Sequence, residues 1–260
     1  MKNKESKFYM KKFFSVLLIL ILGSVFSLFA DPKNIVYSQS FDYSQIDRMQ
    51  ISLVWENLII SQIYGDEISV EIGCNDLKKI PQVLCQDGDG VFTIESREKK
   101  SRAGLRCTVY LYLPQDLHAM SITINNVSGN IQADTLRAQN SVAIGNVSGR
   151  TDIGLCNTEF YNLTTVSGNA TLQKITAEYF DISSTSGNLF AELEHAPLAS
   201  SGITNISGKS QLYIPKGAAL SLSTFSISGS ITNNTTPQTN SAAPQITISS
   251  VSGKIEVKEY

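Results

Sequence analysis

Apolar and polar residues alternate along this chain in short runs, and after residue 30 no stretch repeats its apolar positions at the helical period of 3.6 residues. Period-two alternation predicts strands over 51–55, 58–64, 67–72, 83–85, 91–95 and 105–113. Downstream, one pattern recurs seven times: Val127-Ser128-Gly129, Val147-Ser148-Gly149, Val166-Ser167-Gly168, Thr185-Ser186-Gly187, Ile206-Ser207-Gly208, Ile227-Ser228-Gly229 and Val251-Ser252-Gly253. The glycines are 20, 19, 19, 21, 21 and 24 residues apart. A sustained period of about twenty residues marks a repeat architecture.

The surroundings of each Gly repeat as well. Two residues after it stand Ile131, Thr151, Ala170, Leu189, Ser210, Ile231 and Ile255. Five and seven residues before it stand pairs such as Ile124 with Ile122, Ile144 with Val142, Ile182 with Phe180 and Ile248 with Ile246. The two rows have opposite parity, so a corner must absorb one residue between them. The polar position three before the Gly (Asn126, Asn146, Thr165, Ser184, Asn205, Ser226, Ser250) is expected to form that corner, bonding backbone groups and its own counterparts above and below. The Gly itself either takes a positive φ or lies where a Cβ would collide with the next wall. The apolar residue two before each Gly is expected to face the core, so Val166→Asp should be severely disruptive and Asn169→Asp nearly silent.

Twenty residues are too few for a strand–helix–strand unit. The predicted fold is therefore all-β: a parallel β-solenoid, a single-stranded β-helix with coils of about 20 residues and the seven Ser-Gly pairs in one column, preceded by a strand-rich part. Leu111-Tyr112-Leu113-Pro114 precedes the first Ser-Gly pair much as Leu212-Tyr213-Ile214-Pro215 precedes the sixth, so the chain enters two coils the same way. The low-complexity run 232–244 lengthens the last spacing and should bulge from the stack.

The first thirty residues differ in kind. A region with five Lys and one Glu leads into eighteen uncharged residues from Phe13 to Ala30, the composition of an export signal, with cleavage after Ala30 or retention as an anchor as the alternatives. The organisation read from the chain is 1–30 signal, 31–118 strand-rich and continuous with the solenoid, and 119–260 solenoid with seven Ser-Gly coils. Without residues 1–30 the chain has 16 basic and 22 acidic residues, a balance that disfavours nucleic acid.

Four cysteines (Cys74, Cys85, Cys107, Cys156) allow disulfides in an exported chain, with three connectivities, or buried free thiols, since Cys74 and Cys107 share the parity of inward neighbours. No cysteine pair has zinc-type spacing, and His118 and His195 stand alone, so no metal or other cofactor is expected. Asp87-Gly88-Asp89-Gly90 reads as a hairpin turn before it reads as a calcium loop. Carboxylates for glycoside cleavage would come from Asp152, Glu159, Glu178, Asp181, Glu192 and Glu194, whose offsets from the nearest Gly differ. Polar residues do recur just after the Gly: Asn130, Arg150, Asn169, Asn188, Lys209, Ser230 and Lys254. That column is the candidate binding face.

A strand-rich lead-in, a strand ending in Leu113-Pro114 and recurrent coils of the Val127-Ser128-Gly129-Asn130-Ile131 type resemble the bacterial domain family known as putative adhesin. The resemblance covers residues 33–260 and implies a β-solenoid without catalytic residues. The expected function is that of an exported, non-catalytic binding or structural module of the cell envelope, in the periplasm or on the surface. Its partner would be an envelope or host glycan or protein, and any membrane contact would be made by the N-terminal segment. The alternative is a polysaccharide-active β-helix enzyme.

Overall fold

The computed structural model describes residues 34–76, 83–97, 104–236 and 243–260. The predicted export signal and its cleavage point lie outside the described residues. The N-terminal part supplies β1 (Asn34–Asp42), β2 (Arg48–Leu53), β3 (Asn57–Ile63), β4 (Glu67–Cys74), β5 (Val83–Gly88), β6 (Val91–Ser96) and β7 (Cys107–Pro114). The repeat region supplies β8 (Ser121–Asn126), β9 (Ile131–Arg137), β10 (Ser141–Ser148), β11 (Thr151–Ser167), β12 (Ala170–Ser186), β13 (Leu189–Leu193), β14 (Ser201–Ile214), β15 (Ser221–Ser226), β16 (Ser230–Asn234) and β17 (Gln245–Glu259). The fold is all-β and solenoid-like, one mixed sheet wound nearly closed on itself. Pairing is antiparallel for β1–β4, β4–β7 and β5–β6, so the strand-rich part does not simply continue a parallel stack. From β8 to β17 every pairing is parallel.

Each level of the stack has two walls joined by the Ser-Gly corner. The first wall holds the residues before the corner, with Ile124 opposite Ile144, Ile144 opposite Leu163, Leu163 opposite Ile182 and Ile182 opposite Ile203. The second holds those after it, with Ile131 opposite Thr151, Thr151 opposite Ala170 and Ala170 opposite Leu189. Side chains from both walls fill the space between them, and one buried cluster runs from Phe41 to Val257. Each fully buried Ile or Leu contributes about 1.5–3 kcal/mol, so these two rows carry most of the stability of a level.

The order of levels departs from the order of the sequence at both ends. The last segment, β17, lies between β14 and β15–β16: Ile203 pairs with Ile248, while Ile246 pairs with Leu222 on its other side. The Gly column accordingly runs 129, 149, 168, 187, 208, 253, 229. At the other end β2–β3 lies between β6–β7 and β8–β9. β16 thus lies on the outermost level and β17 one level further in; of the run 232–244, residues 232–234 belong to β16, and the expected bulge falls on 237–242, which lie outside the described residues.

The Leu-Tyr-Leu/Ile-Pro echo marks both crossings. Pro114 ends β7 and Pro215 follows β14, and after each the chain passes over one level before re-entering the first wall. The two passages use the same bonds to the level they skip. Gln115 N donates to Ile63 O and Lys216 N to Tyr260 O, each at 3.1 Å; a tight turn follows, with Leu117 N donating to Pro114 O and Ala218 N to Pro215 O. Proline lacks an amide hydrogen and cannot extend the ladder, which makes it a suitable exit residue.

The corner corrects one expectation. The inward row of the first wall continues through the polar position three before the Gly, where Asn126, Asn146, Thr165, Ser184, Asn205 and Ser250 are all buried. The apolar residue that follows points outward: Val127, Val147, Val166, Ile206 and Val251 are 44–47% exposed and Ile227 is 69% exposed. Alternation decided against hydrophobicity, because the residue absorbed by the corner lies within Val-Ser-Gly and not before it. An aspartate at position 166 would thus meet water, contrary to the expectation for Val166→Asp.

Candidate binding face

The structure stacks the polar residues after the Gly. Asn130, Arg150, Asn169, Asn188, Lys209, Lys254 and Ser230 follow one another along one edge, with Lys209 opposite Lys254 and Ser230 opposite Lys254 by direct register. Asn130, Arg150, Asn169, Asn188, Ser230 and Lys254 are exposed and Lys209 is half-buried. The asparagines also have a structural task. Asn130 Oδ1 accepts from Arg150 N at 2.9 Å, Asn169 Oδ1 from Asn188 N at 2.9 Å and Asn188 Oδ1 from Lys209 N at 3.2 Å. The ladder begins one level earlier, where Asn57 Oδ1 accepts from Asn130 N at 2.9 Å.

Beside this column the buried corner residues bond the backbone. Asn126 Nδ2 donates to Glu56 O at 2.9 Å and Asn205 Nδ2 to Gly187 O at 3.3 Å, while Thr165 Oγ1 donates to Ser184 Oγ at 3.0 Å. The Ser of each pair reaches back one level: Ser148 Oγ donates to Val127 O at 3.2 Å and Ser186 Oγ to Val166 O at 3.2 Å. Ser128, Ser148, Ser167, Ser186, Ser207 and Ser228 are thereby engaged in the corner. The exposed Val and Ile residues form a ridge along the same edge, and Leu53, Asn125, Val127, Gly145, Val147 and Val166 line a shallow groove of about 190 Å³ on it.

The two walls differ sharply in charge. In the seven stretches that form the first wall of the repeat (121–127, 141–147, 160–166, 179–185, 200–206, 221–227 and 245–251), Asp181 is the only charged residue. The second wall carries Asp134, Arg137, Arg150, Asp152, Lys174, Glu192, Glu194, Lys209, Lys254, Glu256 and Lys258. Some of these neutralise one another: Arg150 Nε is 2.6 Å from Asp152, and Glu256 lies 2.8 Å from Lys209 Nζ and 2.7 Å from Lys258 Nζ. Hydrogen bonds from those two lysines hold the Glu256 carboxyl down at about 2. This absence of charge is legible in the sequence but invisible to a search for recurring polar residues.

The candidate catalytic carboxylates fall on different walls. Asp152 is bound to Arg150, and Glu194 accepts from Thr176 Oγ1 at 3.0 Å. Asp181 stands on the first wall and Glu192 on β13 of the second. Glu159 and Glu178 stand one level apart at the corner opposite the Ser-Gly column, where both line a groove of about 520 Å³ together with His195. Among the described residues no Arg or Lys lines that groove.

Among the described residues no three His, Cys, Asp or Glu gather as metal ligands. Asp89 and Gly90, both at positive φ, form the two-residue turn between β5 and β6, so the sequence Asp87–Gly90 closes a hairpin. Cys74 and Cys107, opposite each other on β4 and β7, form a disulfide; Cys85 and Cys156 are free thiols. Burial pushes the Cys85 thiol up to about 11 and Cys156 further still, so both are protonated at neutral pH.

A solenoid-like stack with one uncharged and one charged wall, joined at an edge where side chains repeat level by level, defines a repeat protein built around extended surfaces. The chain belongs to the Toastrack DUF4097 family, whose model matches residues 46–258. Solved structures resemble the chain at low identity. A putative lipid binding protein from Parabacteroides distasonis is 13% identical with a TM-score of 0.51, the match covering 86% of this chain and 97% of that one. A putative adhesin from Bacteroides fragilis is 12% identical with a TM-score of 0.47, over 87% and 98%. A putative adhesin from Parabacteroides distasonis is 12% identical with a TM-score of 0.47, over 86% and 98%. No curated protein matches the chain.

Proposed function

We propose that the chain is an exported, non-catalytic binding module of the cell envelope, wound as a single-stranded parallel β-helix, that holds a glycan or protein through the column Asn130, Arg150, Asn169, Asn188 and Lys209. The observation that carries this reading is the column itself. Its amides and cations share one edge, and the amide oxygens of Asn130, Asn169 and Asn188 are engaged with the backbone, which fixes the side chains facing a ligand. Preorganised groups at a regular spacing suit an extended, repetitive partner. The disulfide supports export, since such bonds persist in oxidising compartments.

The engaged oxygens also determine the test. Replacement by Ala would remove ladder bonds, whereas Asn130→Asp combined with Asn188→Asp keeps an acceptor oxygen and removes the outward NH₂ donors. The double variant should melt like the wild type and lose at least about tenfold in attachment to a purified envelope fraction. Attachment at wild-type strength would reject this column. Polysaccharide turnover that disappears on Glu159→Gln would reject the non-catalytic reading, because Glu159 and Glu178 are the acids that share a groove.

A further inference from the structure

The first wall of the repeat has the composition of a protein interface and lacks a partner among the described residues. Its outward side chains are small and uncharged in the centre, as at Thr123, Ala143 and Thr164, and one border is the ridge that includes Val147, Val166 and Ile206. On the other border Phe160 and Tyr179 stack with ring centroids 4.5 Å apart. Aromatic and β-branched residues without charge mark the central part of interfaces, and charged residues are depleted there.

We propose that this wall packs face to face against the same wall of a second copy of the chain. Charge selects that partner. From residue 31 onward the protein is acidic, with 16 basic and 22 acidic residues, so two copies repel each other over most of their surfaces. The first wall carries Asp181 alone and escapes that repulsion. Spacing selects the same partner, because rows of side chains about 4.8 Å apart interdigitate best with rows of equal spacing, as in packed sheets. Area is sufficient: seven strands of seven residues span roughly 34 Å by 20 Å, or about 700 Å², close to the ~800 Å² that each partner contributes to a standard interface. The charged strands β2 and β6, with Arg48 and Glu95, bound the wall at one end and keep the contact from spreading.

The experiment is sedimentation equilibrium of the full chain and two variants, with melting measured alongside. Val147→Lys combined with Ile206→Lys places cations on the ridge at exposed positions three strands apart; Thr171→Lys places one on the opposite wall. The wild type should sediment as a dimer at about 10 µM. The ridge variant should melt normally and associate about 100-fold more weakly, since each cation enters the interface twice, and the Thr171→Lys chain should remain dimeric. A monomeric wild type at this concentration, or an undiminished dimer in the ridge variant, overturns the proposal. A monomer that binds lipid vesicles or polysaccharide through the ridge also overturns it, in favour of that occupant.

Discussion

At the scale of single residues the Ser-Gly corner is a packing device. A Cβ on Gly168 would stand 2.1 Å from Gly149 O, and one on Gly187 2.0 Å from Gly168 O, so each glycine lets its level sit on the carbonyl of the one before. Gly168→Ala should therefore cost more than about 3 kcal/mol in denaturant unfolding, well above an ordinary surface change. The neighbouring positions separate core from rim. Ile144, 1% exposed, should lose about 2–5 kcal/mol on truncation to Ala, whereas Val166→Asp should stay within about 1 kcal/mol. Equal losses at the two sites, measured at concentrations where the chain is monomeric, would show that Val166 packs into the core of its own chain. The sequence misleads here because hydrophobicity and parity disagree at Val166, and parity is settled only by where the corner takes up its extra residue.

At the scale of elements, β17 is held between β14 and β15–β16, and Glu256 pins it to β14 through Lys209. Because the folded carboxyl lies near 2 against an ordinary 4.5, its stabilisation is complete above the ordinary value and is lost as pH falls from there toward 2. The stability gap between wild type and Glu256→Gln should thus shrink as pH drops from 5 to about 2. A gap independent of pH would mean that the carboxylate contributes nothing through its charge. The position of β17 was only half legible. The Leu-Tyr-Leu/Ile-Pro echo announces that two passages are alike, but periodic spacing cannot state that the sixth and seventh coils exchange places, since either stacking order satisfies the same alternation.

Across the whole molecule, the two ends differ in how they are secured. The N-terminal end has antiparallel strands and the Cys74–Cys107 disulfide, which closes a loop of 33 residues and ties β4 to β7. Cys107→Ser should lower unfolding free energy by about 2–4 kcal/mol, and a reducing agent should have the same effect on the wild type and none on the variant. An unchanged midpoint on reduction would show that the bridge does not constrain the unfolded chain. The parity of Cys74 and Cys107 revealed that both face inward but not that they face each other, because that requires β4 to run antiparallel to β7.

The sequence by itself determined the all-β class, the twenty-residue level, the inward rows before and after each Gly and the shared column of residues just beyond it, because a period of two combined with a period of twenty admits few other windings. Tertiary structure alone decided the order of the levels, the outward turn of Val127, Val147 and Val166, the pairing of the cysteines and the groove that Glu159 shares with Glu178. Each of these depends on which strand lies beside which, and backbone pairing in a stacked sheet is almost indifferent to the order in which equivalent strands arrive.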